Sequence, residues 1–214
     1  MSASPLFHLE DVSVRFDGTP VLDRFSLAVA PGEKVVLRGR SGSGKSTVLR
    51  LLLGFLQPGS GSIRFRGETL VPAIAHAIRR TVAFVPQDID FEEGTVEEVS
   101  ERFFTARCWS ERPRIEDMGV AWTTLALAEG IGTKRVADLS GGERQRVALA
   151  LALAGGREIF LLDEPTASLD GDAKKAVADR FLDRESDETV VVVSHDEEWN
   201  RPESATVVTL EPVQ

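Results

Sequence analysis

The fold of this chain is decided by the stretch Gly39-Arg40-Ser41-Gly42-Ser43-Gly44-Lys45-Ser46-Thr47. Its glycines let the backbone turn sharply and approach a ligand closely, and a helix that follows would present its positive N-terminal end to an anion. A lysine and a hydroxyl at this spacing reach the outer phosphates of a nucleotide and a Mg²⁺ ion, respectively. We therefore predict that the whole stretch binds a nucleotide, with Lys45 on the phosphates and Ser46 on the metal. A flexible Gly/Ser loop is the alternative.

The residues on either side of the loop support this interpretation. Lys34-Val35-Val36-Leu37-Arg38 is apolar at its centre and predicts a strand before the loop. Residues 47–53 predict a helix after it, which Gly54 would end. A strand, a glycine-rich loop and a helix in this order form the context that a phosphate-binding loop requires.

The composition is that of one ordinary globular domain. The chain has 214 residues, 42% of them hydrophobic, and a mean hydropathy of -0.08, so we expect a single domain over residues 1–214. The formal net charge of -9 argues against nucleic acid as a partner, because a phosphate backbone attracts basic surfaces. Cys108 is the only cysteine, which rules out an internal disulfide, and residues 1–5 lack the pattern of a secretory signal. These features predict a cytoplasmic location.

Hydrophobic periodicity predicts an α/β fold with a mostly parallel central sheet. An N-terminal antiparallel β subdomain is expected where residues 7–16 alternate and a second strand follows around residues 25–29. Residues 88–138 are polar and helical in pattern, with a capping box at Thr95 and Glu98, and we take them as an α-helical subdomain. The other predicted elements are strands at residues 62–66, 81–85, 159–162, 189–193 and 206–210, and helices at residues 74–79, 141–153 and 171–184.

A second candidate half of the site follows an apolar strand. Ile159-Phe160-Leu161-Leu162 ends abruptly in Asp163 and Glu164, and ligands bind at the carboxyl ends of parallel strands. We predict that Asp163 joins Ser46 around Mg²⁺, and that Glu164 lies on the other side, where it orients or deprotonates a water for attack on the γ-phosphate. An acidic turn after a core strand is the alternative interpretation.

A third motif is Leu139-Ser140-Gly141-Gly142-Glu143-Arg144-Gln145. Ser140 and Glu143 have the spacing of a capping box before an apolar helix. A cap alone does not explain two glycines at the first helical positions, where each costs up to about 1 kcal/mol relative to alanine. Glycines at a helix N-terminus expose N–H groups to an anion, so we interpret Ser140, Gly141, Gly142 and Glu143 as a second phosphate-binding surface.

These motifs, in this order, resemble the ATP-binding cassette (ABC) ATPases, which have the P-loop NTPase fold. The resemblance covers nearly the whole chain. In that family the phosphate loop is followed by a glutamine, here Gln87, then by the signature at residues 139–145 and by the Walker B strand that ends at Asp163. A D-loop, here Ala167-Ser168-Leu169-Asp170, and a switch histidine, here His195, come next.

The resemblance implies roles for single residues and a composite site. Two copies, or this chain and a paralogous cassette, would pair head to tail, so that the signature of one closes over the γ-phosphate held by Lys45 of the other. The implied catalytic residues are Lys45, Gln87, Glu164 and His195. Gln87 would also touch Mg²⁺ and link the site to a membrane subunit. His195 would contact the γ-phosphate, although a capping or packing histidine is the simpler interpretation of that residue alone.

One position departs from the family's commonest pattern. The residue that stacks on adenine is usually a tyrosine, and the chain contains no tyrosine. Phe16 is the candidate here, because stacking needs only the ring face. A core phenylalanine is the competing interpretation. His8 and His76 match no motif and are expected to be structural.

The segment at residues 88–94 is the candidate contact with a membrane subunit. It reads Asp88-Ile89-Asp90-Phe91-Glu92-Glu93-Gly94, with four carboxylates around two apolar side chains. By the resemblance, we hypothesise that Ile89 and Phe91 dock a basic coupling helix of an integral membrane partner. An acidic solvated loop is the alternative.

The resemblance thus predicts an ATP-hydrolysing subunit of an ABC transporter, with ATP and Mg²⁺ as cofactors. It would be encoded apart from its membrane subunit and held through it at the cytoplasmic face of the membrane. The alternative is a soluble ABC ATPase that acts as an assembly or mechanical module, of the iron-sulfur or cell-division type. A P-loop small-molecule kinase is a third option, but it would need a substrate lid and would have no use for the signature.

Overall fold

The computed structural model describes residues 4–105 and 115–213, so Cys108 lies outside the described part. The strands are β1 Phe7–Phe16, β2 Thr19–Val29, β3 Lys34–Arg38, β4 Ser60–Phe65, β5 Glu68–Thr69, β6 Val82–Val85, β7 Ile159–Asp163, β8 Thr189–Val193 and β9 Thr206–Thr209. The helices are α1 Lys45–Leu52, α2 Pro72–Thr81, α3 Val96–Thr105, α4 Ile115–Thr124, α5 Gly141–Ala154 and α6 Gly171–Phe181. Short 3₁₀ turns lie at Ile131–Thr133, Val136–Asp138 and Glu197–Trp199.

A parallel sheet forms the centre, in the order β6-β7-β8-β3-β9. Its inner strands β7 and β8 are buried along their whole length, because both faces of a parallel sheet are covered, whereas the edge strand β9 is exposed at Thr206 and Thr209. The phosphate loop leaves β3 beside the carboxyl ends of its neighbours, where Leu37 pairs with Val193 and Asp163 with Val193 from the other side. The predicted fold class, α/β with a mostly parallel central sheet, is confirmed.

Alternate side chains of this sheet enter two separate cores. On β3, Val36 faces one cluster, which α5, α6 and the helical segments around α3 and α4 complete. Val35 and Leu37 face the other, which is formed with α1, β1, β2 and β4. The period of two along a strand therefore assigns each residue of the sheet to one layer.

The second sheet is antiparallel, in the order β2-β1-β4-β5, and contains the predicted N-terminal β layer. Phe7 of β1 packs on Phe65 of β4 with ring centroids 5.0 Å apart. The β1 to β2 pairing has an irregular register, with Asp11 and Arg24 at positive φ, as occurs at β-bulges. Phe7 and Phe65 both belong to the core that contains the apolar side chains of α1.

The helical layer begins with the capping box that the sequence predicts. The Thr95 amide donates to Glu98 Oε2 at 2.8 Å, and the Glu98 amide donates to Thr95 Oγ1 at 3.2 Å. A single β-bridge between Thr95 and Arg135 ties the start of α3 to the segment before the signature. The described helices of this layer lie within residues 96–138.

Several predicted boundaries are wrong in detail. Helix α6 ends at Phe181 rather than at residue 184, because Asp183 Oδ1 accepts the Glu185 amide at 3.0 Å and turns the chain away. Strand β2 begins at Thr19, well before the predicted residue 25. Strand β5 was not predicted, because it is two exposed residues long and too short to show a period. Within residues 4–105 and 115–213, none of the helices is both long and apolar enough for a bilayer crossing.

Candidate nucleotide site

The phosphate loop requires glycine at two positions for different reasons. Gly39 has a φ of 147°, and a Cβ there would lie 2.2 Å from the carbonyl oxygen of Leu210, which follows β9. Gly44 has a φ of 94° at the start of α1, and a Cβ there would lie 2.8 Å from Leu22 Cδ2. The backbone of Leu210 on one side and the side chain of Leu22 in β2 on the other therefore restrict the conformation of the loop.

Lys45 lies at the first position of α1, with its side chain folded back over the loop. Its Nζ donates to the carbonyl oxygens of Gly39 at 2.8 Å and Arg40 at 2.9 Å. Burial lowers the pKa of this ammonium, and the nearby carboxylates of Glu164 and Asp163 oppose that shift. Lys45 thus places a positive charge at the rim of the loop, close to both carboxylates.

Ser46 and Asp163 meet across the site. Ser46 Oγ donates to Asp163 Oδ1 at 3.1 Å, joining α1 to the tip of β7. Burial raises the pKa of Asp163, and the hydrogen bond from Ser46 opposes this shift. A hydroxyl and a carboxylate oxygen are hard ligands that suit Mg²⁺, which takes one or two protein ligands and completes its shell with phosphates and water. The residues present fit that ion.

Glu164 and His195 form the next contact. His195 Nε2 lies 3.3 Å from Glu164 Oε1, and the Glu164 amide donates to the Val193 carbonyl at 2.9 Å. Glu164 has a φ of 48°, an uncommon conformation for a residue with a side chain, so the chain turns sharply directly after Asp163. Burial raises the pKa of Glu164, and the charge of His195 opposes this shift. The turn explains why two adjacent carboxylates face different partners.

These residues line one cavity of about 710 Å³. Phe16 lies at its edge with 42% of its surface exposed, which excludes the interpretation of Phe16 as a core residue. Gly39, Arg40 and Ser43 shape the loop from outside the lining. The lining residues are Phe16, Val21, Ser41, Gly42, Gly44, Lys45, Ser46, Thr47, Gln87, Asp163, Glu164, Ala167, Lys174, Val193, His195 and Asp196.

The signature residues form a separate surface. Ser140 caps α5: its Oγ accepts the Glu143 amide at 3.2 Å, and Glu143 Oε2 accepts the Ser140 amide at 2.9 Å. Lys134 Nζ donates to both oxygens of Glu143, at 3.0 and 2.8 Å. These bonds, that of Lys134 first, lower the pKa of Glu143 to about 2. The capping box is therefore present at the glycine-rich helix start.

Gly142 lies against the D-loop, where a Cβ would come 3.0 Å from the Ser168 carbonyl oxygen. Ser140, Gly141, Gly142 and Glu143 are not among the described residues that line the cavity around Lys45. One copy of the chain therefore brings the loop, Asp163, Glu164 and His195 together, but keeps the signature apart from them.

Gln87 is exposed and lies in the cavity wall. The acidic segment at residues 88–94 follows it directly. Ile89 and Phe91 are half-buried against the core and also line a smaller cavity of about 300 Å³ with Phe103. Arg79 and Arg157 contribute to the same wall, so the groove itself is less acidic than the segment. Glu92 Oε2 lies 3.2 Å from Arg102 Nε and is paired within the chain.

Sequence reasoning missed four charged residues around the turn that carries His195, namely Arg38, Lys174, Asp196 and Glu197. Lys174 Nζ donates to Asp196 Oδ1 at 2.7 Å, and both residues line the cavity. Arg38 donates to the His195 carbonyl oxygen at 3.2 Å and to Glu197 at 2.7 Å. The only signal available was adjacency, since Asp196 follows His195 and Lys174 lies four residues after Asp170 of the D-loop.

Comparison with known proteins agrees with this geometry. A family model described as ABC transporter matches residues 22–167. The high-affinity zinc uptake system ATP-binding protein ZnuC of Bacillus subtilis strain 168 is 31% identical over 201 residues, which cover 90% of this chain and 85% of that protein. The ATP-dependent lipid A-core flippase of Neisseria meningitidis serogroup B is 35% identical over 199 residues, covering 88% of this chain. The matched part is 31% of the length of that flippase.

Solved structures give the same result. A bacterial Atm1-family ABC exporter with ATP bound superposes with a TM-score of 0.84 and 25% identity, covering 100% of this chain and 39% of the exporter chain. A dimeric ATP-binding cassette in a post-hydrolysis state, bound to ADP and Pi, superposes with a TM-score of 0.79 and 27% identity. That match covers 97% of each chain.

Proposed function

This chain belongs to the ABC transporter family and is an ATPase of that family, and from this premise we propose that it energises a transporter whose membrane subunit is a separate chain. Residues 1–214 would act as one nucleotide-binding domain, with residues 88–138 as its helical subdomain. The chain would be held through its partner at the cytoplasmic face of a membrane. The observation that carries the proposal is the pair of contacts at one sheet edge, Ser46 with Asp163 and Glu164 with His195.

The geometry supports specific roles for the chain's own residues. The loop amides and Lys45 would bind the phosphates, and the ring face of Phe16 would stack on adenine. Ser46 and Asp163, with Gln87 at the rim, would hold Mg²⁺, which when bound offsets the negative charge of the β- and γ-phosphates.

The position of Glu164 suits it to act as the general base. Its carboxylate would accept a proton from a water as that oxygen bonds to the γ-phosphorus and the bond from phosphorus to the β,γ-bridging oxygen breaks, giving ADP and phosphate. His195, 3.3 Å from Glu164 Oε1, would keep the carboxylate and the γ-phosphate in line. Burial of Glu164 favours the proton-accepting role, since it makes the carboxylate more basic.

We infer that the complete site needs a second cassette. Ser140 and Gly141 are exposed, and neither lines the cavity that holds Lys45. A head-to-tail pair, of two copies or of this chain with a paralogous cassette, would place Ser140, Gly141, Gly142 and Glu143 of one over the γ-phosphate bound by the other. ATP would then lie within the interface.

Replacing Glu164 with glutamine tests this proposal. We expect Glu164→Gln to bind Mg-ATP normally, because the side chain keeps its size, and to lose turnover by at least about a hundredfold, because the base is gone. Since bound ATP then persists, light scattering should show a dimer that needs both ATP and Mg²⁺. The matched control is Glu185→Gln, which removes an exposed carboxylate that does not line the cavity.

Wild-type turnover in Glu164→Gln would contradict the general-base role. A Glu164→Gln protein that stays monomeric with ATP and Mg²⁺ would contradict the paired site for this chain by itself.

We also propose that residues 88–94 receive the membrane subunit. Ile89 and Phe91 lie at the apolar groove with Phe103, which is 42% exposed, and Asp88 and Asp90 are exposed beside them. An apolar groove with an acidic border suits an amphipathic helix that carries basic residues at its edge. Glu92 contributes less to this attraction than the sequence suggests, because Arg102 already pairs with it.

A further inference from the structure

A hydrogen-bond network that is buried at Thr166 and Trp199 extends to Asp196, the residue after His195. Asp196 Oδ1 accepts from Lys174 Nζ at 2.7 Å, and Oδ2 accepts from Thr166 Oγ1 at 2.7 Å. Thr166 Oγ1 in turn accepts from Trp199 Nε1 at 2.9 Å. The Asp196 amide donates to Ser194 Oγ at 3.2 Å, so this residue is fixed through its backbone and through both side-chain oxygens.

These hydrogen bonds join three segments that are distant in sequence. Thr166 follows β7, Lys174 lies in the first half of α6, and Trp199 ends the 3₁₀ turn after β8. Thr166 and Trp199 are both 0% exposed, which gives the hydrogen bonds a rigid base. The Lys174 and Asp196 side chains are 23% and 20% exposed, so their ion pair is better shielded from water than an ordinary surface pair.

This anchoring acts on His195 because the histidine belongs to the same turn. The side chain of His195 is 51% exposed, so little packing restrains it, and its Nε2 lies 3.3 Å from Glu164 Oε1. Its backbone is restrained on one side by Arg38, which donates to its carbonyl oxygen at 3.2 Å. On the other side the restraint comes from Asp196. The position of the imidazole therefore depends on how firmly Asp196 is held.

We propose that Lys174 and Asp196 are positioning residues for ATP hydrolysis, because their ion pair fixes the turn that places His195 beside Glu164. The inference rests on the roles proposed above for Glu164 and His195. Positioning raises the rate of the chemical step, and a displacement of about 1 Å can cost on the order of a hundredfold. The ammonium of Lys174 acts through Asp196 and needs no contact with the phosphates.

The test compares Lys174→Met with Lys175→Met in the full chain. Methionine keeps most of the unbranched stem and removes the charge. Lys175 is the neighbour on α6, and its ion pair with Asp179 at 2.6 Å lies outside the cavity, so Lys175→Met loses one lysine charge without touching Asp196. The measured quantities are kcat and KM for Mg-ATP, with the melting temperature of each variant.

We expect Lys174→Met to lower kcat by at least about tenfold, with KM changed less than about threefold. Lys174→Arg should recover most of kcat, since arginine can pair with the same carboxylate. Lys175→Met should match the wild type. Asp196→Asn provides a second route, because the amide can still accept from Thr166 but loses the charge, and it should reproduce the loss of kcat.

Two results would overturn the proposal. Equal kcat in Lys174→Met and Lys175→Met would show that the ion pair does not position the site. A raised KM with unchanged kcat in Lys174→Met would show that Lys174 binds the nucleotide directly. Glu164→Gln, assayed in parallel, separates the two levels: wild-type turnover there contradicts the proposed base, whereas an inactive Glu164→Gln with an unaffected Lys174→Met contradicts the positioning role alone.

Discussion

At the scale of single residues, Gly39 is held by the tightest constraint in the phosphate loop. A Cβ at this position would lie 2.2 Å from the Leu210 carbonyl oxygen, which is backbone and has little freedom to move. Its φ of 147° is also one that residues with side chains rarely adopt. The loop therefore depends on β9 as well as on its own glycines, a dependence that the local motif does not reveal.

We expect Gly39→Ala to lower the melting temperature and weaken ATP binding. Gly18→Ala is the matched control, because Gly18 also has positive φ, at 81°, but a Cβ there meets nothing within 4 Å. The control should lose about 1 kcal/mol from backbone strain alone, and Gly39→Ala at least about twice that. Thermal unfolding without nucleotide measures both. Equal losses would mean that the Leu210 backbone yields easily.

The site residues that sequence alone could predict are those in contiguous motifs. The loop at residues 39–47 and the pair Asp163 and Glu164 are recognisable because a few neighbouring residues supply the chemistry. Lys174 was missed because its role depends on a contact with Asp196, 22 residues away, and no local pattern records such a contact. The same holds for Arg38, whose partner Glu197 lies on another element.

At the scale of the elements, helix α5 combines a cap with a proposed phosphate-binding role. The capping box formed by Ser140 and Glu143 occupies the Ser140 amide and the Glu143 amide. Gly141 and Gly142 lie in the first turn of α5. They have no side chains that could shield their amide N–H groups from an anion. The cap and the anion surface are therefore compatible, because they use different N–H groups of one helix start.

The ion pair of Glu143 with Lys134 predicts a pH dependence of stability. Because the pKa of Glu143 falls from 4.5 to about 2 on folding, its charge stabilises the fold above about pH 4.5, and this contribution disappears as the pH falls toward 2. Wild type should therefore exceed Glu143→Gln in melting temperature at pH 7, and the difference should shrink between pH 4.5 and 2.5. Lys134→Met should remove most of this pH dependence. A difference that stays constant from pH 7 to 2.5 would contradict the role of the pair.

The boundaries of helices and strands were predicted best where the periodic hydrophobic pattern was long and a capping or turn residue marked the end. The strand at Phe7–Phe16 and the start of α5 at Gly141 agree with the sequence prediction to the residue. The end of α6 did not, because a turn around Asp183 competes with the helix and its strength cannot be judged from propensity. Tertiary pairing also extends β2 back to Thr19, beyond its own apolar pattern.

At the scale of the whole molecule, the acidic segment predicts a salt-sensitive association with the membrane subunit. Each of the substitutions Asp88→Lys and Asp90→Lys reverses an exposed charge beside the groove. Among the described residues, neither carboxylate takes part in an ion pair that the substitution would break. Each should weaken copurification with the membrane subunit at low salt, and high salt should reduce the difference from wild type.

Glu185→Lys is the control for that experiment, because it makes the same change of charge at an exposed residue just beyond α6. It should assemble like the wild type. If Asp88→Lys and Asp90→Lys also assemble normally at low salt, the segment is an acidic solvated loop and the partner binds elsewhere.

The two cores on opposite faces of the parallel sheet have a consequence for how such a protein can diversify. Ile89 and Phe91 of the groove, Leu139 of the signature and the helices around them pack on one core, whereas the antiparallel layer packs on the other. Substitutions that adapt the helical side to a new membrane subunit would need to repack only the sheet residues of that face. The residues that recognise the nucleotide base could stay unchanged while the membrane partner changes. One sheet can therefore combine a constant ATP site with different membrane subunits.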